Sequence, residues 1–127
     1  MQEIIFRGKS IAHHGKKEEW VYGFYSNFKG VNGRTHYISD DNGRSVAVRP
    51  ETIGQFTGLI DAYGTRIFEG DIISSETVKH KIVWNNEWAK FQAISGSVYA
   101  SSLNQEWIDM HGKEVVGNIY DNPEIKY

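Results

Sequence analysis

Tight-turn signals recur along this sequence at short intervals, and they constrain its fold more than any other feature. Asn32-Gly33 and Asp41-Asn42-Gly43 are typical of turns between antiparallel strands. The run Trp20–Tyr25, rich in aromatic and β-branched residues, suits a pleated sheet. Turns spaced by roughly 8–12 residues between short β-prone runs indicate antiparallel β-structure. The sequence therefore predicts a mainly β protein with a hairpin-rich N-terminal portion.

The second half of the chain predicts a more regular β-architecture. Within Val78–Trp84, apolar and polar residues alternate, as in a half-buried strand. A short helix is predicted over Ser102–His111, capped by Ser101 or Ser102, with Leu103, Trp107 and Met110 on its apolar face and Gly112 at its end. The strand-like runs are Ile67–Ile73, Val78–Trp84, Trp88–Ile94, Ser97–Ala100 and Val115–Tyr120. Short strands with one helical turn fit a C-terminal SH3-like small barrel.

The stretch Pro50–Ser74 joins the two halves. We predict an irregular antiparallel β portion over 1–49, a connecting stretch over 50–66 and the SH3-like barrel over 67–127, packed as one compact unit. Structural turn residues are predicted within the stretch: Gly58 and Gly64 shape its turn, and Gly70 and Asp71 set the entry to the first barrel strand.

Composition excludes several classes of function. The chain has 127 residues, no cysteine and a net charge of −2. Without cysteine there is no disulfide, thiolate nucleophile or cysteine-ligated zinc. The slight acidic balance disfavours a mainly electrostatic nucleic-acid binder. No apolar run approaches the ~20 residues of a membrane span, and Met1–Arg7 does not resemble a signal peptide, so we expect a soluble protein with no membrane partner.

Three groups of polar residues are candidates for a catalytic or metal-binding site. Glu69 and Asp71 share a face if the segment is a strand, so they suit acid–base work or a cation, but the intervening Gly70 favours a turn. His13-His14 lacks further ligands at metal spacing, and Asp40-Asp41-Asn42-Gly43 fits a plain β-turn better than a calcium loop. The sequence thus predicts no catalytic residue, no metal site and no cofactor.

Aromatic side chains with basic neighbours form one candidate binding surface. Such a surface suits stacking of single-stranded nucleic acid, while the alternative is that the aromatics fill the core of a small β-domain. The candidate residues are Trp20, Tyr22, Lys79, Lys81, Trp88 and Lys90.

Five short phrases follow one another along the chain: Phe6–Lys9, Trp20–Gly23, Glu51–Leu59, Ile67–Ile73 and Val116–Glu124. In this order and spacing they resemble the YopX family of phage and prophage proteins. The family has no established biochemical activity, so the resemblance implies no catalytic residues. It implies expression in the cytoplasm of a bacterial host and makes a homo-oligomer an expected state.

We therefore expect a non-enzymatic phage or prophage accessory protein of unknown specific function, acting through self-association or by binding other phage or host proteins. The alternative is a nucleic-acid-binding accessory factor that uses an aromatic and basic barrel face, which the net charge does not favour. A third hypothesis is an enzyme centred on Glu69 and Asp71. The solution mass tests the first hypothesis: a closed oligomer favours self-association, and a strict monomer counts against it.

Overall fold

The computed structural model describes residues 3–12 and 15–127, and His13-His14 lies outside the described residues. Within them the chain forms eleven strands, one α-helix and one 3₁₀ turn, so the prediction of a mainly β protein is confirmed. The strands are β1 (Phe6–Lys9), β2 (Trp20–Gly30), β3 (Gly33–Ser39), β4 (Ser45–Val48), β5 (Gly54–Ile60), β6 (Arg66–Phe68), β7 (Asp71–Ser75), β8 (Val78–Asn85), β9 (Lys90–Ser95), β10 (Val98–Tyr99) and β11 (Glu114–Asn118). The 3₁₀ turn spans Pro50–Thr52 and helix α1 spans Gln105–Met110.

The chain divides into two compact units, Met1–Phe56 and Thr57–Tyr127, called unit 1 and unit 2 below. The division falls inside strand β5, within the stretch 50–66 that the sequence analysis treats as connecting. Each unit has its own apolar cluster.

Unit 1 is built from antiparallel neighbours in the order β4-β3-β2-β1-β5. The β2–β3 hairpin runs without interruption from the pair Phe24–Ser39 to the pair Gly30–Gly33, so the Asn32-Gly33 turn lies where the sequence places it. Val21, Ile38 and Val48 fill the core of this unit. Their side chains come from three neighbouring strands, which is how a small sheet buries one face.

Gly23 lies in the middle of β2 because another strand passes too close for a side chain. A Cβ built at Gly23 would lie 2.0 Å from the carbonyl oxygen of Ser39, and the backbone φ is +155°. Gly23 falls inside the run Trp20–Tyr25 that the sequence predicts as a strand, and a glycine within a strand commonly marks such a close backbone approach.

Unit 2 is centred on an antiparallel sheet in the order β10-β9-β8-β7-β11. Its core contains Ile67, Ile73, Ile82, Ala93 and Ile108, the last from helix α1. The predicted alternation in β8 is observed, since His80 and Ile82 are buried and their neighbours are less so. The SH3-like barrel is not confirmed, because β10 and β11 are the two edges of an open sheet.

Two boundaries differ from prediction for local reasons. The run Ile67–Ile73 is two strands, because the chain turns at Gly70, where φ is +90°. Helix α1 begins after Asn104, whose side chain accepts a hydrogen bond from the Trp107 backbone N–H, so Ser101 and Ser102 do not cap it. Met110 is exposed, and Ile108 is the helical residue that is fully buried.

Candidate functional site

One face of the unit 1 sheet carries a row of aromatic side chains, here called the aromatic face: Trp20, Tyr22, Phe24, Phe28 and Tyr37. The first four alternate along β2, and Tyr37 on β3 pairs directly with Ser26 of the same face. Tyr22, Phe24 and Phe28 are 47%, 64% and 65% exposed. The rings of Phe28 and Tyr37 meet edge to face with centroids 5.8 Å apart. This face therefore presents aromatic rings to solvent in a fixed row.

The polar groups on the aromatic face are largely matched among themselves. Ser39 and Ser45, paired across β3 and β4, join their hydroxyls at 2.7 Å. The cations on this face of strands β1–β4 are Arg7 and Lys9, opposite Tyr22 and Trp20. Arg7 is buried with its guanidinium 4.5 Å from the Trp20 ring centroid, and Lys9 Nζ lies 3.7 Å from the Glu18 carboxylate. The row from Tyr22 to Phe28 is therefore close to neutral.

The remaining predicted surface residues belong to unit 2. Lys79 and Lys81 alternate with the buried His80 and Ile82 along β8, so they occupy the opposite face of that strand. Asn85 lies on the same face of β8 as these two lysines, and Lys90 pairs with Asn85 across the strands, so Lys90 shares that face. Lys81 is partly covered, since its Nζ lies 4.9 Å from the Tyr127 ring centroid. Trp88 is exposed in the turn between β8 and β9, where Asn85 accepts its backbone N–H.

A cleft of about 440 Å³ lies beside Lys90 in unit 2. Its walls include Trp84 and Phe91, whose rings meet edge to face at 4.9 Å, and the hydroxyl-bearing residues Ser101 and Ser102. Its volume falls in the range of small-ligand pockets.

The central stretch contributes turns rather than an exposed pair of carboxylates. Asp71 is 1% exposed and its Oδ2 accepts a hydrogen bond from the Phe68 backbone N–H at 2.7 Å. That carboxylate therefore holds the β6–β7 turn. Asp71 is thus not a free acid or base, and the hypothesis of an enzyme centred on Glu69 and Asp71 loses one of its two residues. Gly64 and Gly70 lie in turns, whereas Gly58 lies inside strand β5 with φ of +86° rather than in the turn that follows.

Unit 2 also holds a group that the sequence analysis missed, here called the buried lysine cluster: Ser75, His80, Trp107 and Lys113. Lys113 is 3% exposed. Its Nζ lies 3.1 Å from Ser75 Oγ, 3.4 Å from His80 Nδ1 and 4.6 Å from the centroid of the Trp107 ring. The His80 and Trp107 rings meet edge to face at 5.2 Å. The inward side of His80 follows from the alternation of β8, but Lys113 is 33 residues away and carries no sequence signal of its own.

Burial changes the protonation of this cluster. Desolvation lowers the pKa of Lys113 below its ordinary value. Desolvation, and secondarily the charge of Lys113, lower the pKa of His80. Both groups thus favour their neutral forms more than they do in water.

Residues 3–12 and 15–127 contain no group of three or more histidine, aspartate or glutamate side chains arranged to hold a metal ion. Across the same residues, no helix has the length and apolarity needed to cross a membrane.

The chain is a β-rich protein of two compact antiparallel units. Its candidate functional site is an exposed surface, the aromatic face of unit 1. The sequence model of the family described as YopX protein matches residues 6–125, so the chain belongs to the YopX family. The resemblance expected from the sequence phrases is confirmed.

One solved structure shows the same fold over nearly the full length. The crystal structure of protein EF1440 from Enterococcus faecalis is 20% identical, superposes with a TM-score of 0.52, and the match covers 98% of each chain. At that identity the likeness concerns the fold alone. No curated protein matches the sequence.

Proposed function

We propose that this protein is a non-enzymatic phage or prophage accessory protein of the bacterial cytoplasm that self-associates through the aromatic face of unit 1. The exposed row Tyr22, Phe24 and Phe28 carries this proposal, because contiguous exposed apolar surface is typical of interaction sites. Membership of the YopX family supports the phage setting.

A second copy is the occupant that the charges favour. In a two-fold contact the same patch meets itself, so any unpaired charge would face its own kind. The row from Tyr22 to Phe28 is neutral, and the cations near it are already engaged by Trp20 and Glu18. Self-contact there carries no like-charge penalty.

The strand edges of the unit 2 sheet are weaker routes to association. On the β11 edge, the Val115 backbone N–H is bound by Asp61 Oδ2 at 2.9 Å, and the Lys113 carbonyl accepts the Ala62 N–H. Strand β10, at the other edge, has only two residues. A face-to-face contact of unit 1 avoids both limits.

The expected contact is modest in size. A fully buried aromatic side chain removes about 150–250 Å² from water, so three half-exposed rings supply roughly 300 Å² per copy. Two copies, with neighbouring side chains, reach only the lower end of specific interfaces, at about 1,000 Å². We expect a reversible, roughly micromolar dimer rather than an obligate one.

The prediction is concentration-dependent dimerisation that fails when the face loses its rings. Phe24→Thr with Phe28→Thr keeps strand-forming residues but removes the aromatic area, so sedimentation velocity should show a monomer where the parent chain shows a dimer. Tyr99→Thr, at an exposed aromatic on β10, is the matched control and should leave the dimer unchanged. A parent chain that stays monomeric at about 200 µM, well above the expected Kd, would overturn the proposal.

The shared face of Lys79, Lys81 and Lys90 supports a second candidate, binding of single-stranded nucleic acid. The exposed ring of Trp88, in the turn between β8 and β9, is available for base stacking next to Lys90. If this is correct, single-stranded DNA is retained at about 50 mM salt, and Lys79→Gln with Lys90→Gln lowers the slope of log affinity against log salt by roughly 0.7 per lost phosphate contact. No retention at that salt concentration excludes the candidate.

A further inference from the structure

We propose that the buried lysine cluster is an acid-sensitive latch in unit 2: a proton taken up by His80 sets two cations in contact and releases helix α1 from the sheet. The latch joins β8 through His80, β7 through Ser75 and α1 through Trp107 to Lys113, which precedes β11. It concerns unit 2 and is independent of self-association through unit 1.

The geometry of the Lys113 ammonium carries the proposal. The ammonium has donors only, so its 3.4 Å contact with His80 requires Nδ1 to act as acceptor. Nδ1 can accept only while it is unprotonated. Protonation therefore removes this hydrogen bond and replaces it with repulsion between two cations, both packed against Trp107.

No described acid compensates this charge. Within residues 3–12 and 15–127, the polar contacts of Lys113 Nζ are Ser75 Oγ and His80 Nδ1, and no carboxylate lies within ion-pair distance of it.

On α1, Glu106 and Asp109 are exposed, and the His111 ring lies 6.1 Å from that of Trp107. The remaining charged groups on the elements around the cluster are Asp71 on β7, Glu76 in the β7–β8 turn, Lys79 and Lys81 on β8, Asp61 against β11 and Glu114 on β11. Of these, Lys79, Lys81 and Glu114 alternate with His80 or Lys113 along the chain, and Asp61 and Asp71 accept backbone N–H groups.

The sign of the effect follows from proton linkage. The native state holds His80 with a lowered pKa, so the open state, with a pKa near 6.5, binds more protons as pH falls. The stabilisation is complete above about pH 6.5 and is lost as pH falls through the folded-state pKa. Each unit by which that pKa is lowered makes opening about tenfold more favourable in acid.

Amide hydrogen exchange on the full chain tests the latch. We expect the protection factors of the α1 amides, corrected for intrinsic exchange, to fall between pH 7.5 and pH 5, by up to about tenfold per pH unit within the titration window. Lys113→Met keeps most of the length of the side chain and removes its charge, so it should reduce this fall by the part that the contact between two cations contributes, while the part that comes from desolvation of His80 remains. Lys79→Met, on the opposite face of β8, is the matched control and should behave as the parent chain does.

A second variant keeps the test decisive if Lys113→Met does not fold. His80→Phe keeps a ring against Trp107 and removes the titrating group, so its α1 protection should not depend on pH in this window. The latch is overturned if α1 protection in the parent chain does not change with pH. It is equally overturned if Lys113→Met and His80→Phe both show the same fall as the parent chain.

Discussion

Gly23→Ala is expected to destabilise unit 1 by about 3 kcal/mol, the largest effect of any single methyl group that we foresee. The added Cβ would lie 2.0 Å from the Ser39 carbonyl oxygen and 3.2 Å from the Asp40 Cα, both of which are backbone atoms at the end of the neighbouring strand β3. Neither can rotate away as a side chain could. Relief requires the β2–β3 hairpin to separate, which breaks its ladder. Urea unfolding followed by circular dichroism measures the loss.

Gly33→Ala separates the steric cost from the backbone cost. Gly33 also has a positive φ, of +106°, but a Cβ there meets nothing within 4 Å. Its substitution should therefore cost only the conformational strain, about 1–2 kcal/mol. Equal losses at the two glycines would show that the close approach to Ser39 does not govern position 23.

Asp61→Ala is expected to be the most damaging polar substitution, at about 3 kcal/mol or more. The buried carboxylate accepts three backbone N–H groups: Oδ1 binds those of Tyr63 and Thr65, and Oδ2 binds that of Val115. Removing it leaves these donors without an acceptor in unit 2. Thermal unfolding should show a clear drop in Tm, with the amides of residues 61–65 and Val115 losing protection from exchange.

Asp40→Ala is the matched control for this loss. Asp40 makes the same kind of turn, accepting the Asn42 and Arg44 N–H groups through Oδ1, and the Arg44 backbone hydrogen bond lowers the pKa of its carboxyl. Its turn is exposed to water, which can replace the lost acceptor, so the drop in Tm should be much smaller. A drop as large as that of Asp61→Ala would contradict the importance of the Val115 link.

Local chemistry made the turns and one strand face predictable. Asn32-Gly33 places a hairpin turn because its residues tolerate the required backbone angles. The alternation along β8 revealed that His80 points inward. Helix α1 was predicted to exist, but its start was misplaced. Three polar residues, Ser101, Ser102 and Asn104, compete as caps, and tertiary packing decides among them: Leu103 packs against the core of unit 2, so the helix begins after it.

Long-range pairing explains what sequence reasoning missed. Lys113 meets His80 and Ser75 only because β11 and β7 are neighbours, and no periodicity relates residues 33 and 38 positions apart. The reach of Asp61 to Val115, 54 residues on, is hidden for the same reason. The aromatic rings Trp20 and Tyr22 were identified, but Phe24, Phe28 and Tyr37 complete their row only once β2 and β3 are in register.

The hydrogen bond from Val115 to Asp61 also bears on what kind of assembly this chain can form. An unpaired strand edge is a template on which further chains add without end, and this is how fibrils grow. Here one edge of the unit 2 sheet is occupied by a carboxylate of the same chain, and the other is two residues long. Strand addition to the unit 2 sheet therefore has little to start from, and the association that we propose through the aromatic face of unit 1 can stop at a closed pair.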